Sequence, residues 1–327
     1  MAGRVLVTGG AGYVGSHCAR RLAEAGYEVV TVDDLSQGHA EAVVGELVRA
    51  DLRDRARMEP LLGRGFDAVL HFAARMSVGE SVADPVGYFD SNVAGTLSLL
   101  SAMRTHGCER LVFSSTCAVH GVPAQVPIAE DAPFAPISPY GETKAVVERI
   151  LALARSRGQL AATCLRYFNA AGAAHDGLLG EAHHPETHLI PLALDAALHG
   201  STMTVFGDQH ATPDGTCVRD YVHVEDLAEA HLLALQQLLN GSPGEVYNLG
   251  SGDGYSVRAV LDTVAQVTGR PVHRTVGPAR EGDPAVLISD TRKSTAQLGW
   301  RARWGLRDIL EHAWRWHQAP RFGPRKA

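Results

Sequence analysis

The run Val5-Leu6-Val7-Thr8-Gly9-Gly10-Ala11-Gly12-Tyr13-Val14-Gly15-Ser16-His17 joins an apolar strand pattern to a glycine-rich turn and then to a helical pattern. Glycine has no side chain to hold a phosphate away from the backbone, so main-chain N–H groups and the following helix N-terminus can meet a pyrophosphate directly. The turn therefore needs a strand before it, a helix after it and an acid about 20 residues on. Arg4 to Thr8 supplies the strand, and Tyr13, Val14, Cys18, Leu22 and Ala25 recur on one face of a helix predicted over 11–25. A second strand, Val29-Val30-Thr31-Val32, ends in Asp33, the expected ribose ligand, with Asp34 beside it. The glycines fit both Gly10-x-Gly12-x-x-Gly15 and Gly9-x-x-Gly12-x-x-Gly15. A dinucleotide site is expected, and a carboxylate at Asp33 would repel a 2′-phosphate, which selects NAD over NADP.

Outward from this turn, apolar runs near Val5, Val30, Leu47, Val69, Val112 and Thr163 alternate with helical patterns. That alternation predicts an α/β chain with a Rossmann-type doubly wound parallel sheet. The 327 residues exceed one ordinary domain. We expect a dinucleotide-binding domain over 1–174, with segments near 217–250 returning to it, and a smaller C-terminal α/β substrate lobe over 175–327. The charges, 30 basic and 36 acidic with a net of −6, leave no basic footprint for nucleic acid or an anionic membrane. Five unpaired-looking cysteines point to a reducing compartment, hence the cytoplasm. No apolar run approaches the ~20 residues of a membrane span, and no leader is expected ahead of the first strand. The Pro- and Arg-rich tail Ala319 to Ala327 reads as a frayed end.

Several strand ends carry candidate ligands. Asp51-Leu52 follows the third strand, where the carboxylate either reaches an adenine amino group or caps the next helix. Phe72-Ala73-Ala74 are small or flat residues where the backbone would pass a pyrophosphate, and Arg75 could neutralise phosphate charge. Asn92 sits in an apolar helix predicted from 85 to 106, either as a ligand or as a satisfied bridging amide. The fifth strand runs out into Ser114-Ser115-Thr116, at the edge where open α/β sheets bind ligands.

Ser138-Pro139 then opens a helix carrying Tyr140 and Lys144, four residues apart and so on one face. A phenol of pKa ~10 is a poor base at neutral pH, and a nearby ammonium favours the phenolate. Such a pair can take a proton from a sugar hydroxyl as hydride leaves for a nicotinamide, with Thr116 hydrogen-bonding to the same oxygen.

With Gly9, Gly12, Gly15, Asp33, Asp51-Leu52, Ser114 to Thr116 and Tyr140-x-x-x-Lys144 in place, the chain resembles the extended short-chain dehydrogenase/reductase family. Within it the chain is similar to the UDP-glucose 4-epimerases through Asn92 to Thr96, Arg166-Tyr167-Phe168-Asn169, Leu189-Ile190-Pro191, Asp214 to Val224 and Arg280-Glu281-Gly282-Asp283. The resemblance implies Thr116, Tyr140 and Lys144 as the catalytic set. For the cofactor it implies Tyr13, Val14, Asn92, Ser114 and Tyr167 besides the turn and strand-end residues. For UDP it implies Asn169, Leu189, Phe206, Arg219, Arg280 and Asp283, the two arginines being suited to clamp a diphosphate.

The implied reaction is oxidation at C4 of a UDP-hexose and re-reduction from the other face, with NAD regenerated in each cycle and retained. Cys117-Ala118 stands where dehydratases of the family carry an Asp-Glu pair, so no acid is ready for elimination. Departures from the pattern are His120 in place of a tyrosine and Met76 in place of a lysine. Pro284-Ala285-Val286 are small where some relatives have an aromatic, which predicts room for N-acetylated sugars. Epimerisation of another UDP-sugar, or a non-catalytic NAD-binding scaffold, are the alternatives. A homodimer packed through helices near 85–106 and 139–155 is expected by family analogy. His184-x-x-x-His188 has ligand-like spacing, but Pro185 intervenes and no carboxylate or cysteine evidently completes a tetrahedral set, so no metal is expected.

Overall fold

The computed structural model describes residues 2–280 and 282–323. Its first half runs β1 (Ala2–Thr8), α1 (Tyr13–Glu24), β2 (Tyr27–Asp33), β3 (Glu46–Arg49), α2 (Arg55–Leu62), β4 (Ala68–His71), α3 (Val78–Ala83), α4 (Pro85–Phe89), α5 (Gly95–Thr105), β5 (Arg110–Thr116), α6 (Pro139–Ser156) and β6 (Ala161–Tyr167). Then come β7 (Asn169–Ala171), α7 (Leu189–His199), β8 (Thr202–Phe206), β9 (Val218–Arg219), β10 (Tyr221–His223), α8 (Val224–Leu239) and β11 (Val246–Leu249). The chain closes with β12 (Tyr255–Ser256), α9 (Val257–Thr268), β13 (His273–Gly277), β14 (Val286–Leu287) and α10 (Leu306–Gln318).

Seven strands pair in parallel in the order β11-β6-β5-β4-β1-β2-β3, the Rossmann-type doubly wound sheet that the sequence predicts. Alternation along β1 explains why both faces are covered. Val5 and Val7 pack with Leu22 of α1 and Leu227, Leu235 and Leu238 of α8. Leu6 points the other way, into Met58 and Leu62 of α2, Leu99 and Met103 of α5 and Val147 and Leu151 of α6. The order reverses between β1 and β4, and crevices at such switch points receive ligands. β11 enters the sheet beside β6 only after more than seventy residues spent elsewhere, with Val246 opposite Cys164.

The remaining strands form small sheets, β10-β7, β12-β9-β14 and β13-β8. They lie with α7, α9 and α10 around a separate core containing Ile190, Leu194, Tyr221, Val264, Ile309 and Leu310. This is the smaller C-terminal α/β lobe. The expected helix over 85–106 is interrupted by a π-helical turn, Asp90–Ala94, centred on buried Asn92. The tail expectation needs correcting: Phe322 docks 4.8 Å from the Trp316 ring and 5.1 Å from the His39 ring. An apolar ring that finds two partners stays down, whatever the polarity of its neighbours. Residues 324–327 of that tail, and Glu281 of the Arg280-to-Asp283 motif, lie outside the described residues.

Candidate functional site

The glycine turn is built by contact with its surroundings. Gly9 has φ +70, and a Cβ there would lie 2.5 Å from the Ala73 nitrogen, because the Phe72-Ala73 backbone crosses directly beside it. Both the Phe72 and Ala73 amides donate to the Thr8 carbonyl. At Gly15 a Cβ would lie 2.2 Å from the Gly9 carbonyl oxygen, so α1 starts flush against the turn. Gly12 is its N-cap, with no side-chain cap and no acid in the first turn around Tyr13 and Val14. That leaves the positive end of a twelve-residue helix open to an anion. Tyr13 leans away from the turn and donates through its hydroxyl to the Gly172 carbonyl at 2.7 Å.

Asp33 is buried at the end of β2, accepting from the amides of Ala11 at 3.0 Å and Leu35 at 2.9 Å. Burial raises its pKa, and those two hydrogen bonds oppose the rise. Asp34 accepts from the Ser36 amide. Asp51 is held by Arg53, whose guanidinium lies 3.0 and 3.1 Å from its oxygens and lowers its pKa. The capping alternative falls three residues on, where Asp54 accepts from the Arg57 amide, and Leu52 packs into the core. Arg75 turns to the acids of α3 and α4, 3.1 Å from Glu80 and 2.8 Å from Asp84, with its guanidinium 4.4 Å above the Tyr88 ring. Ala74 is the residue that separates it from the Phe72-Ala73 crossing. Asn92 is a bridge: its oxygen accepts from the Arg75 amide, and its NH2 donates to the Arg75 carbonyl and to Thr143 of α6. One side chain thus locks the loop after β4 to the helix that carries Tyr140.

The second cluster lies at the end of β5. Ser138 caps α6 by accepting from the Gly141 amide, and Pro139 occupies the first turn. A Cβ at Gly141 would lie 2.7 Å from the Ala118 carbonyl oxygen, so the helix start is pressed onto the turn that Thr116 caps. Thr116 and Tyr140 are brought together as a result, near enough for the threonine hydroxyl to favour the phenolate. Lys144, one turn on, is buried and donates from Nζ to the Ser114 carbonyl at 2.8 Å, with the ammonium 4.8 Å from the Phe113 ring centre. The Ser114 hydroxyl pairs with the Tyr167 phenol. Burial pushes the Lys144 ammonium down to about 8, with the Glu148 carboxylate acting the other way. Burial also pushes the Tyr140 phenol up to about 12, against the Thr116 hydroxyl. The spacing argument predicts a lysine-lowered phenol, whereas desolvation outweighs it in the chain by itself.

Sequence reasoning missed the support beneath this pair. Glu148 accepts from Ser115 and forms a buried ion pair with Arg166, 2.7 Å apart. His71 joins Thr8 at 2.7 Å to Thr96 at 2.8 Å across the switch point. A charged or imidazole side chain within a wholly apolar strand was the available signal, because buried polar groups must find partners.

On the other lobe, Arg219 lies 2.6 Å from Asp283, and Arg280 stacks 4.3 Å over the Phe206 ring. Asn169 donates to the Asp220 carbonyl, and Leu189 is the first residue of α7. Asp220, to which the motif reading gave no role, is a buried hub that accepts from Ser251, Gly252 and Ser289. The two lobes meet here: the Asn169 amide, just past β6, donates to the carbonyl of Asp220 next to Arg219, and the Ile128 amide donates to the Ile288 carbonyl, while burial raises the Cys117 thiol to about 12 against the Arg219 charge. Arg75 and Asn92 are therefore committed to protein partners, while the glycine turn, Thr116, Tyr140, Lys144 and the Arg219 cluster gather at the sheet's C-terminal edge.

Residues 5–250 match the model of the NAD dependent epimerase/dehydratase family. The chain belongs to that family. Among its relatives, the UDP-glucose 4-epimerase of Rhizobium meliloti (strain 1021) is 48% identical over 316 residues, covering 96% of each protein. The UDP-glucose 4-epimerase of Stenotrophomonas maltophila, solved with bound NAD and formylated UDP-arabinopyranose, superposes with a TM-score of 0.94 at 43% identity, over 97% of this chain and 98% of that one. The Brucella ovis UDP-glucose 4-epimerase in complex with NAD gives 0.93 at 45% identity, over 95% and 97%. As a member of this epimerase/dehydratase family the chain has a turn that fits a pyrophosphate: side chains are excluded at Gly9 and Gly15 by backbone, and the uncapped helix start faces the crevice.

Proposed function

We infer that the chain is an NAD-dependent UDP-glucose 4-epimerase, interconverting UDP-glucose and UDP-galactose through a 4-keto sugar. The observation that carries this reading is the half-buried Tyr140 held with buried Thr116 and Lys144 at the same sheet edge as the glycine turn, with Cys117-Ala118 after Thr116 offering no acid for elimination. When bound, NAD supplies a reversible hydride acceptor and a positive nicotinamide ring. Tyr140 takes the proton of the sugar 4-hydroxyl and returns it after the 4-keto sugar has turned over in the pocket. Thr116 is placed to share that proton with Tyr140. Lys144, fixed by the Ser114 carbonyl, is placed to favour the phenolate and to hold ribose.

Arg219 and Arg280 clamp the diphosphate, and Asn169, Leu189, Phe206 and Asp283 hold uridine. Gly9, Gly12, Gly15 and the first turn of α1 receive the pyrophosphate, with Phe72, Ala73 and Ala74 alongside and Ser114 and Tyr167 at the nicotinamide end. Asp33 and Asp34 take the adenosine ribose, and Asp51 with Leu52 the adenine. Arg75 and Asn92 act by fixing the loop after β4. Residues 1–174 with the stretch 217–250 form the NAD-binding domain and 175–327 the UDP-sugar domain.

The chain forms a homodimer and works in the cytoplasm. Support for the dimer comes from apolar side chains left outward on α3, α4, α5 and α6: Val82 is 65% exposed, Val86 79%, Leu97 47% and Leu153 67%. All five cysteines are free, which supports a reducing compartment. The deciding experiment incubates the purified protein with UDP-galactose and no added cofactor. UDP-glucose should accumulate to an equilibrium ratio, and absence of product from protein that carries NAD would refute the reading.

A further inference from the structure

Beyond the reaction site, the loop before α7 brings four side chains to one point. Glu181, His183, Glu186 and His188 each offer an atom within 4.8 Å of the other three. Glu181 Oε1 lies 3.1 Å from His183 Nδ1 and 2.7 Å from His188 Nδ1. The Glu186 carboxylate reaches the same two nitrogens at 3.7 and 3.2 Å. A tetrahedron with bonds of ~2.05 Å has edges of about 3.3 Å, and the three contacts that Glu181 Oε1 and Glu186 Oε1 make with the two imidazole nitrogens run from 2.7 to 3.2 Å.

The direction of approach separates a metal cage from simple ion pairs. Glu181 is 4% exposed at its side chain, yet its Oε1 has no hydrogen-bond partner, and neither has the buried His183 Nδ1. An imidazolium paired with a carboxylate would aim its N–H along the line between them; here nitrogen and oxygen are close without that alignment. A buried carboxylate oxygen left in this way is costly unless something else satisfies it. Once a cation displaces the protons of the two imidazoles, the two carboxylates balance a divalent charge, and this donor set suits zinc. The sequence reading set a metal aside because no carboxylate was evident. The fold supplies two, from Glu181 and Glu186, and uses His183 in place of His184.

The anchoring of the loop fits a structural metal. Trp316 Nε1 donates to the Glu181 carbonyl at 2.9 Å, and His39 Nε2 lies 2.7 Å from the Ala182 carbonyl. The Glu186 oxygen accepts from the amides of Thr187 at 2.7 Å and His188 at 2.8 Å, which orients that carboxylate. The His183 ring meets the Tyr13 ring edge-on at 6.2 Å, and His188 is the N-cap of α7 ahead of Leu189. The loop therefore joins the glycine turn to the start of the substrate lobe.

We propose that Glu181, His183, Glu186 and His188 bind one zinc ion in a closed four-ligand site that clasps this loop across the dinucleotide-binding turn.

The test takes full-length protein, strips it with EDTA, dialyses it against ZnCl2 and then buffer, and counts zinc per chain by mass spectrometry. One zinc per chain is expected, with zinc raising the Tm of the stripped protein. His188→Ala removes a half-exposed ligand and should weaken zinc at least ~100-fold, the upper end of the loss seen for merely supporting groups. Glu181→Gln should do the same, whereas His184→Ala, adjacent but outside the cluster, should retain the ion. Cobalt in place of zinc should give the intense visible bands of a four-coordinate ion, lost in H188A. Should E181Q fail to fold, H188A and the cobalt spectrum still decide. No zinc in the dialysed wild type, or equal zinc in wild type, H188A and H184A, would overturn the proposal, as would an octahedral cobalt spectrum.

Discussion

Tyr140 and Lys144 sit where their own charges are disfavoured. Burial holds the phenol protonated and presses the ammonium to deprotonate. Tyr140→Phe keeps the ring and removes the proton acceptor, so turnover of UDP-galactose should fall by at least ~10²-fold with folding unchanged. A Phe variant of near wild-type rate would remove Tyr140 from the reaction. For Lys144 the consequence is thermodynamic. Its folded pKa of about 8 lies below the ordinary 10.5, so between those values the unfolded chain binds more protons and stability rises with pH. Below about pH 8 both states are protonated and the folded state bears the full desolvation penalty. Lys144→Met should therefore be inactive and yet have a higher Tm at pH 7, with the gap to wild type narrowing as pH climbs through that window. Thermal scans from pH 7 to 10 read this directly, and a pH-independent gap would show that burial of the ammonium is not what separates the two.

At the scale of elements, the turn between β1 and α1 depends on absent side chains. Gly15→Ala forces a methyl to within 2.2 Å of the Gly9 carbonyl oxygen, so the helix must back away. Overpacking of this kind costs about 1–3 kcal/mol. Both Tm and the NAD content of the purified protein should fall, the latter read by chromatography after denaturation. The π-helical turn is a second such device, because Asn92 closes both hydrogen-bonding groups of Arg75 and reaches Thr143. Much of this scale is legible in the sequence. β1 to β6 announce themselves as short buried apolar runs, and the Tyr140 to Lys144 spacing is local. What escapes reading is long-range. The two-residue strands β9, β12 and β14 exist only through each other, with Val218 opposite both Ser256 and Val286. Glu148 acquires its meaning from Arg166, and Arg75 from Glu80 and Asp84, which no pattern of period two or 3.6 reveals.

Over the whole molecule, the outward apolar faces of α3 to α6 bear on assembly. Light scattering should give a mass near twice 34.9 kDa. Val86→Glu combined with Leu153→Glu puts unpaired charge into that face and should reduce the mass to a single chain, with circular dichroism unchanged; a double variant that stays dimeric would place the contact elsewhere.

The late arrival of β11 and α8 has a consequence for biosynthesis. A ribosome delivers β1 to β6 first, and the Val5, Val7, Leu70, Val112 and Leu165 face of that sheet then has no cover from Leu227, Leu235 and Leu238. At ~5–20 residues per second, the stretch from Phe168 to Leu249 takes on the order of ten seconds to emerge. For that interval the nascent sheet presents a greasy face and a bare β6 edge, so chaperones that hold apolar surface have a defined window in which to act, and it shuts when Leu249 clears the exit tunnel.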